Sequence, residues 1–412
     1  MKRITLILAI ALLALPACGK LDREENLRAD QVAPLVRIEL TKGEQALRNA
    51  SNDFGIKTFR SLYDASKDGT VAFSPLSLSL ALAMVAEGAE GDTWQQFREV
   101  LGWDAATKED LGDYYRKMTE GLVKADANVR FTSANSFWAS KNFPLKTEYA
   151  KLLERYFAAE SYTVDFTQPA TLKQINQWCS DKTDGKIPQM LTDLDPETAL
   201  MLINALLFKA PWKLTWDILR NRDFTAASGA RHKKDYLHVK DQRLTYGDFG
   251  DFELVRAPYG NGAYQMDIIL PKEGKTLSDI LPQVGSDVVN YGLQTTDVTL
   301  YLPKWSTDYS TEDALIPALK AQGLTLPFNS MQADFSGISE RQTYINKVLQ
   351  KVRIDVTEKG TEFAAVTVIG MKVTSAAPVT YPKVTVDVNR PFAYTIRETT
   401  SGTILLLGTL SE

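Results

Sequence analysis

Residues 358–382, EKGTEFAAVTVIGMKVTSAAPVTYP, constrain this chain more than any other stretch. The first half is patterned as a β-strand. Thr361, Phe363, Ala365, Thr367, Ile369 and Met371 share one face at period two, and Glu362, Ala364, Val366 and Val368 share the other. Gly360 supplies a hinge ahead of it, since glycine enters backbone regions closed to other residues. Small residues and threonines at its start let the segment pass between existing strands with little steric resistance. After Gly370 the text becomes Met-Lys-Val-Thr-Ser-Ala-Ala-Pro, a protease-accessible composition, and Pro378 and Pro382 end strand pairing. A segment written both as exposed loop and as buried strand is a two-state element. The plainer alternative is an edge hairpin with a long connection, and connections beyond about a dozen residues are uncommon in compact domains.

The rest of the chain provides ample core for such an element. It has 412 residues, 44% hydrophobic and 24% charged, with net charge -4, which is ordinary globular composition and gives no reason to expect nucleic acid. Residues 1–18 read as a targeting segment: Lys2 and Arg3, an apolar run, then Leu15-Pro16-Ala17-Cys18. That ending resembles a bacterial lipobox, which implies cleavage before Cys18, lipid on its thiol and export to a membrane or cell surface. Ordinary signal-peptide cleavage nearby is the alternative. Residues 19–43 read as a tether, and 44–412 as one body. Only one other cysteine exists, Cys179, in a helical pattern beside Trp178; it reads as a small buried hydrophobe.

Helical spacing marks 44–65, 76–87, 92–102, 108–124, 147–157, 171–182, 277–284 and 311–322. Strand patterns mark 71–73, 129–140, 162–166, much of 224–271, 298–305, 344–357 and three short runs after 384. ALMLINALLFK at 199–209 is a continuous apolar run with Asn204 in the middle, as in a strand buried on both faces. Helices first and strands later, mixed in one body, indicate an α+β domain. Enzyme signatures are missing from the text. His232 and His238 have no partner at metal-ligand spacing and read as surface residues on a basic strand edge. No G-x-S-x-G elbow occurs, and Gly274-Lys275-Thr276 lacks the earlier glycine of a phosphate loop, Ile269 standing in its place.

Several motifs, in order, resemble those of serpins. They are NDFG at 52–55, FSPLSLSLALAM at 73–84, ANSFW at 134–138, VDF at 164–166, INQWCSDKTDGKI at 175–187, LINALLFKAPW at 202–212, DFSGI at 334–338, EKGTE at 358–362 and RPF at 390–392. The resemblance covers nearly the whole chain after the tether. It implies three β-sheets and eight or nine helices, an exposed reactive-centre loop at about 358–382, and no cofactor. It also implies a suicide mechanism. A serine protease cleaves the loop, forms an acyl-enzyme, and is trapped covalently when the loop inserts as a new strand. Such loop insertion in serpins is a standing example of strand addition and of an order switch.

The same resemblance implies roles for particular residues. Glu358, Gly360, Thr361, Glu362, Phe363, Ala364 and Ala365 correspond to the hinge, with Phe363 in place of a usual alanine. Ser74, Ser77, Asn204, Trp212 and Gln350 correspond to the shutter and breach beneath the inserting strand. Gln350 stands where many members carry histidine, and its amide is expected to bond Ser77 or Asn204. The loop is longer than usual, so counting from the hinge puts the scissile bond at Thr374-Ser375, and counting back from Pro391 puts it near Thr380-Tyr381. Insertion length is measured from the hinge, which favours the first. Met371, Lys372, Val373, Thr374 and Ser375 then offer side chains to different pockets: Lys372 to trypsin-like proteases, Val373 and Thr374 to elastase-like ones. The expected activity is broad inhibition of serine proteases, and some cysteine proteases, by a monomer. A non-inhibitory serpin-fold binding protein and a glycan-binding surface lipoprotein are the other readings.

Overall fold

The computed structural model describes residues 34–143, 145–286, 291–311, 314–361 and 380–412, apart from the side chains of Ser133 and Asn204. Among them are eight α-helices: α1 (Lys42–Ala65), α2 (Pro75–Ala86), α3 (Gly91–Leu101), α4 (Lys108–Lys124), α5 (Thr147–Phe157), α6 (Pro169–Lys182), α7 (Leu277–Ile280) and α8 (Leu315–Ala321). The first strands are β1 (Val71–Phe73), β2 (Arg130–Ser140), β3 (Glu160–Val164), β4 (Leu200–Pro211) and β5 (Asp217–Thr225). Then come β6 (Arg231–Asp248), β7 (Phe252–Tyr259), β8 (Tyr264–Pro271), β9 (Gln294–Pro303) and β10 (Trp305–Ser310). The last are β11 (Lys351–Thr357), β12 (Gly360–Thr361), β13 (Lys383–Asp387), β14 (Phe392–Glu398) and β15 (Ile404–Leu410).

One sheet has six strands in the order β10-β11-β12-β4-β2-β3. The other nine strands follow the order β1-β15-β14-β8-β7-β6-β9-β13, with β5 on the flank of β6. The long strand β6 belongs to two sheets. Its first half pairs with β5 and its last residues with β7. Between them the pairing with β9 slips at Val239/Gln242, where Asp241 has a positive φ of 48°, a β-bulge that bends the strand. Three sheets result, as the motifs imply.

Local chemistry explains the elements. Thr41 and Glu44 form a reciprocal capping box that starts α1 at Lys42. The folded body therefore begins ahead of residue 44, and Ile38 is already buried at 5% exposure, so the tether is shorter than the sequence reading gave it. Ser74 caps α2, with Pro75 in the first turn. That helix is buried nearly all round, and its hydroxyls find partners: Ser79 Oγ contacts Ser51 Oγ at 2.8 Å and donates to Leu76 O. The apolar run of β4 is buried on one face and half-buried on the other. Met201, Ile203 and Ala205 pack with Ile175, Trp178 and Cys179 of α6, while Leu200, Leu202, Leu206 and Phe208 face the main core. Burial pushes the Cys179 thiol up to about 12, so it stays protonated and unreactive.

Two segments depart from their patterns. The run 298–305 is split at Lys304, whose amide donates to Asp235 O, and Trp305 begins a new strand in the six-stranded sheet. The alternation at 344–350 forms no strand. There Ile345 N donates to Pro327 O, and Gln350 is engaged by α2, so those amides go to tertiary packing instead of a ladder. His232 is exposed as expected, but His238 is largely covered, stacked on Tyr301 with ring centroids 4.6 Å apart.

Candidate functional site

The hinge is built by a tight return of the chain. β11 ends at Thr357, Glu358 and Lys359 make the turn, and β12 comes back antiparallel with Val356 opposite Thr361. The other edge of β12 pairs with β4, Gly360 opposite Pro211 and Thr361 opposite Ala210. Only glycine fits at 360. Its φ is +144°, and an added Cβ would stand 2.1 Å from Ala210 O and 2.8 Å from Pro211 Cα. Glu358 is ion-paired to Lys304 at 2.8 Å, and that contact holds its carboxyl below the usual range.

Three aromatic rings frame the hinge. Trp212 Nε1 donates to Thr357 O at 2.8 Å, and its amide donates to Lys359 O at 3.4 Å. Its ring stacks on Tyr259, centroids 4.2 Å apart and planes 13° apart, with Trp216 edge-on at 5.5 Å. Tyr259 is fully buried, its Oη lies 2.6 Å from Thr361 Oγ1, and burial raises its pKa well above the ordinary phenol value. Thr361 is 2% exposed. It lies inside the sheet, paired on both edges, with β11 on one side and β4 on the other.

Below this point β11 and β4 are not paired to each other among the described residues. A β12 that separates them by two strand spacings leaves room of about 9–10 Å between their axes, the width one further strand needs. Glu362, Phe363, Ala364 and Ala365 of the hinge, and Met371, Lys372, Val373, Thr374 and Ser375 of the scissile region, lie outside the described residues, as does Cys18. The chain is described again from Thr380. Arg243 covers the Tyr381 ring at 4.6 Å, Pro382 O accepts from Asp297 N at 2.9 Å, and β13 then runs parallel to β9.

The residues grouped as shutter and breach fall into two clusters at opposite ends of β11, about 20 Å apart. Trp212 belongs to the hinge. Gln350, Ser74 and Ser77 meet at the other end. Gln350 Oε1 accepts from Ser74 N at 2.6 Å and its Nε2 donates to Ser74 O at 3.0 Å. Its own amide donates to Thr311 Oγ1 at 3.0 Å, and Ser74 Oγ donates to Ser77 Oγ at 3.0 Å. The Gln350 amide clasps the Ser74 backbone and does not reach Ser77; the other expected partner, the Asn204 side chain, lies outside the described residues. Ser74 is the N-cap, so its N–H has no intrahelical acceptor and needs an outside one. Asn204 pairs through its backbone with Asn135; its side chain is not described. A Gln350→Leu variant is expected to leave the buried Ser74 N–H unpaired, while Ser74 O keeps its bond from Leu78 N, and to lose about 2 kcal/mol of stability. The check is a lower urea midpoint at unchanged slope.

Sequence reasoning missed Tyr259, Lys304, Thr311 and Arg243, each far along the chain from the group it holds.

Comparison with known proteins agrees with this geometry. Residues 49–412 match the serpin (serine protease inhibitor) family profile. Iripin-8 of Ixodes ricinus is 32% identical over 399 residues, covering 92% of this chain and 96% of that protein. Leukocyte elastase inhibitor A of Mus musculus is 30% identical over 385 residues, covering 88% and 98%. The crystal structure of the thermophilic serpin tengpin in its native state superposes with a TM-score of 0.80 at 28% identity, over 93% of this chain and 98% of that one. The chain belongs to the serpin family.

Proposed function

We propose that this serpin inhibits serine proteases, and some cysteine proteases, as a single-use trap, working outside the cytoplasm from a lipid anchor on Cys18. The observation that carries the reading is β12: Gly360 and Thr361 sit between β11 and β4, at the head of a path along which the following residues add as a strand. Relatives named as inhibitors, of leukocyte elastase and of coagulation, support the inhibitory branch of the family. The anchorage of Tyr381 and Pro382 favours the bond at Thr374-Ser375 over the one at Thr380-Tyr381. A protease must draw several residues on each side of the scissile bond into its cleft, and those past Thr380 are held against β6 and β9.

Lys372 is the only basic residue between Lys359 and Lys383. Cuts after Lys372, Val373 or Thr374 change the inserted length by only about 3.3 Å per residue, so each leaves a strand long enough to trap. The test is a panel of trypsin-, elastase-, chymotrypsin- and papain-like proteases. Covalent complexes that survive denaturing gels are expected. The released C-terminal fragment should begin at Val373 with trypsin and at Thr374 or Ser375 with elastase. Lys372→Ala should lose the trypsin-like targets and keep the elastase-like ones. Cleavage confined to the Thr380 region, or loss of all targets together, contradicts the assignment.

A further inference from the structure

Residues 34–40 are held against the body ahead of α1. The Ile38 side chain packs on Gly121 of α4, where an added Cβ would stand 3.0 Å from it, and its amide donates to Thr400 Oγ1 at 2.9 Å. Val36 N donates to Ala125 O at 3.3 Å. Pro34 O accepts from Asn261 Nδ2 at 3.4 Å. Asn261 lies two residues beyond Tyr259, in the turn that closes β7, and its amide is fixed by Asp126 Oδ2 at 2.7 Å. Gly260 of the same turn donates to Pro211 O at 2.8 Å, the strand end that pairs with Gly360. The chain therefore enters the body beside the turn that holds the hinge.

The length ahead of that point is short. Residues 19–33 separate Cys18 from Pro34. Such a length spans at most about 50 Å. A body of this size is about 55 Å across, and β4 alone carries the chain about 36 Å from the far pole to the hinge.

We propose that the tether holds the serpin with its loop-bearing pole toward the membrane, and that its partners are proteases acting at that membrane surface. This deepens the lipid-anchor reading and rests on it. A protease confined to the same surface meets the loop at raised effective concentration. A freely diffusing one must reach a loop facing the bilayer and stretch the tether to make room, which costs chain entropy.

The experiment uses the full lipidated chain on vesicles of phosphatidylethanolamine and phosphatidylglycerol containing nitroxide-labelled lipid. Fluorophores are placed on single cysteines at two exposed positions, Lys213→Cys at the hinge pole and Glu197→Cys at the far end of β4; the native Cys179 is buried. Flotation with the vesicles should depend on Cys18, and quenching should be stronger from position 213. Trypsin bound to the same vesicles should be inhibited at least about tenfold faster by the lipidated chain than by Cys18→Ser. Equal or stronger quenching from position 197, or equal rates on bound trypsin, with flotation still dependent on Cys18, overturns this proposal alone. Flotation independent of Cys18 overturns the anchor reading and this proposal with it.

Discussion

A Thr361→Arg variant is expected to be cut by proteases as readily as the parent and to trap none of them. Thr361 is buried at 2% exposure between β11 and β4, with its hydroxyl on Tyr259. An arginine there puts a guanidinium where no free anion lies among the described residues. The Tyr259 hydroxyl stays neutral because burial raises its pKa, and Glu358 is already paired with Lys304. Burying an unpaired charge costs several kcal/mol, so the hinge leaves the sheet and the first rung of the added strand is lost. Cleavage does not need that rung, but trapping does, because the loop must insert before water releases the protease. A cost of about 3 kcal/mol lowers the trapped fraction by on the order of 100-fold. The check is the yield of covalent complex per cleavage, with Thr361→Ser as the variant that keeps the hydroxyl. Parent-level yield from Thr361→Arg would show that this hinge takes no part in inhibition.

What could be read in the sequence and what could not divide along contact distance. The period of two places Thr361 on one face with Phe363 and Ala365; Thr361 is buried, but so is Gly360 beside it, and the residues that would show the alternation lie outside those described. That Thr361 is already paired depends on Ala210 and Pro211, residues far back in the chain, which no local pattern reports. The glycine at 360 was legible as a hinge; its positive φ and its approach to Ala210 O explain why no other residue serves. Gln350 was legible only through the serpin resemblance, as the shutter residue standing where many members carry histidine. Its partner was not, because the choice between a serine hydroxyl and the backbone of the helix cap depends on how α2 sits beneath β11. Tyr259 carried no signal at all. A tyrosine in an apolar strand has the same text whether its hydroxyl meets solvent or a hinge threonine 2.6 Å away. The alternation at 344–350 misled for a related reason: periodicity marks burial, and here the burial comes from packing without a neighbouring strand.

Cleaving the loop is expected to make the protein more stable. Residues 362–374, past the already paired Thr361, amount to about thirteen positions, and strand addition between β11 and β4 gives them ladder bonds on both sides while one face is buried. At a net gain near 1 kcal/mol per bond, the cleaved and inserted form is favoured by on the order of 10 kcal/mol, before apolar burial is counted. The intact chain is denied this state because its C-terminal end is held at Arg243, Asp297 and β9; cutting frees the inserting end from that anchorage. For a body of this size, 10 kcal/mol corresponds to a rise in melting temperature on the order of 10 °C. The decisive measurement is therefore calorimetry of the purified protein before and after one cut within 371–374, confirmed by mass spectrometry. A melting temperature higher by on the order of 10 °C after cleavage is the predicted result; an unchanged or lower one would contradict insertion and leave a serpin fold that does not trap.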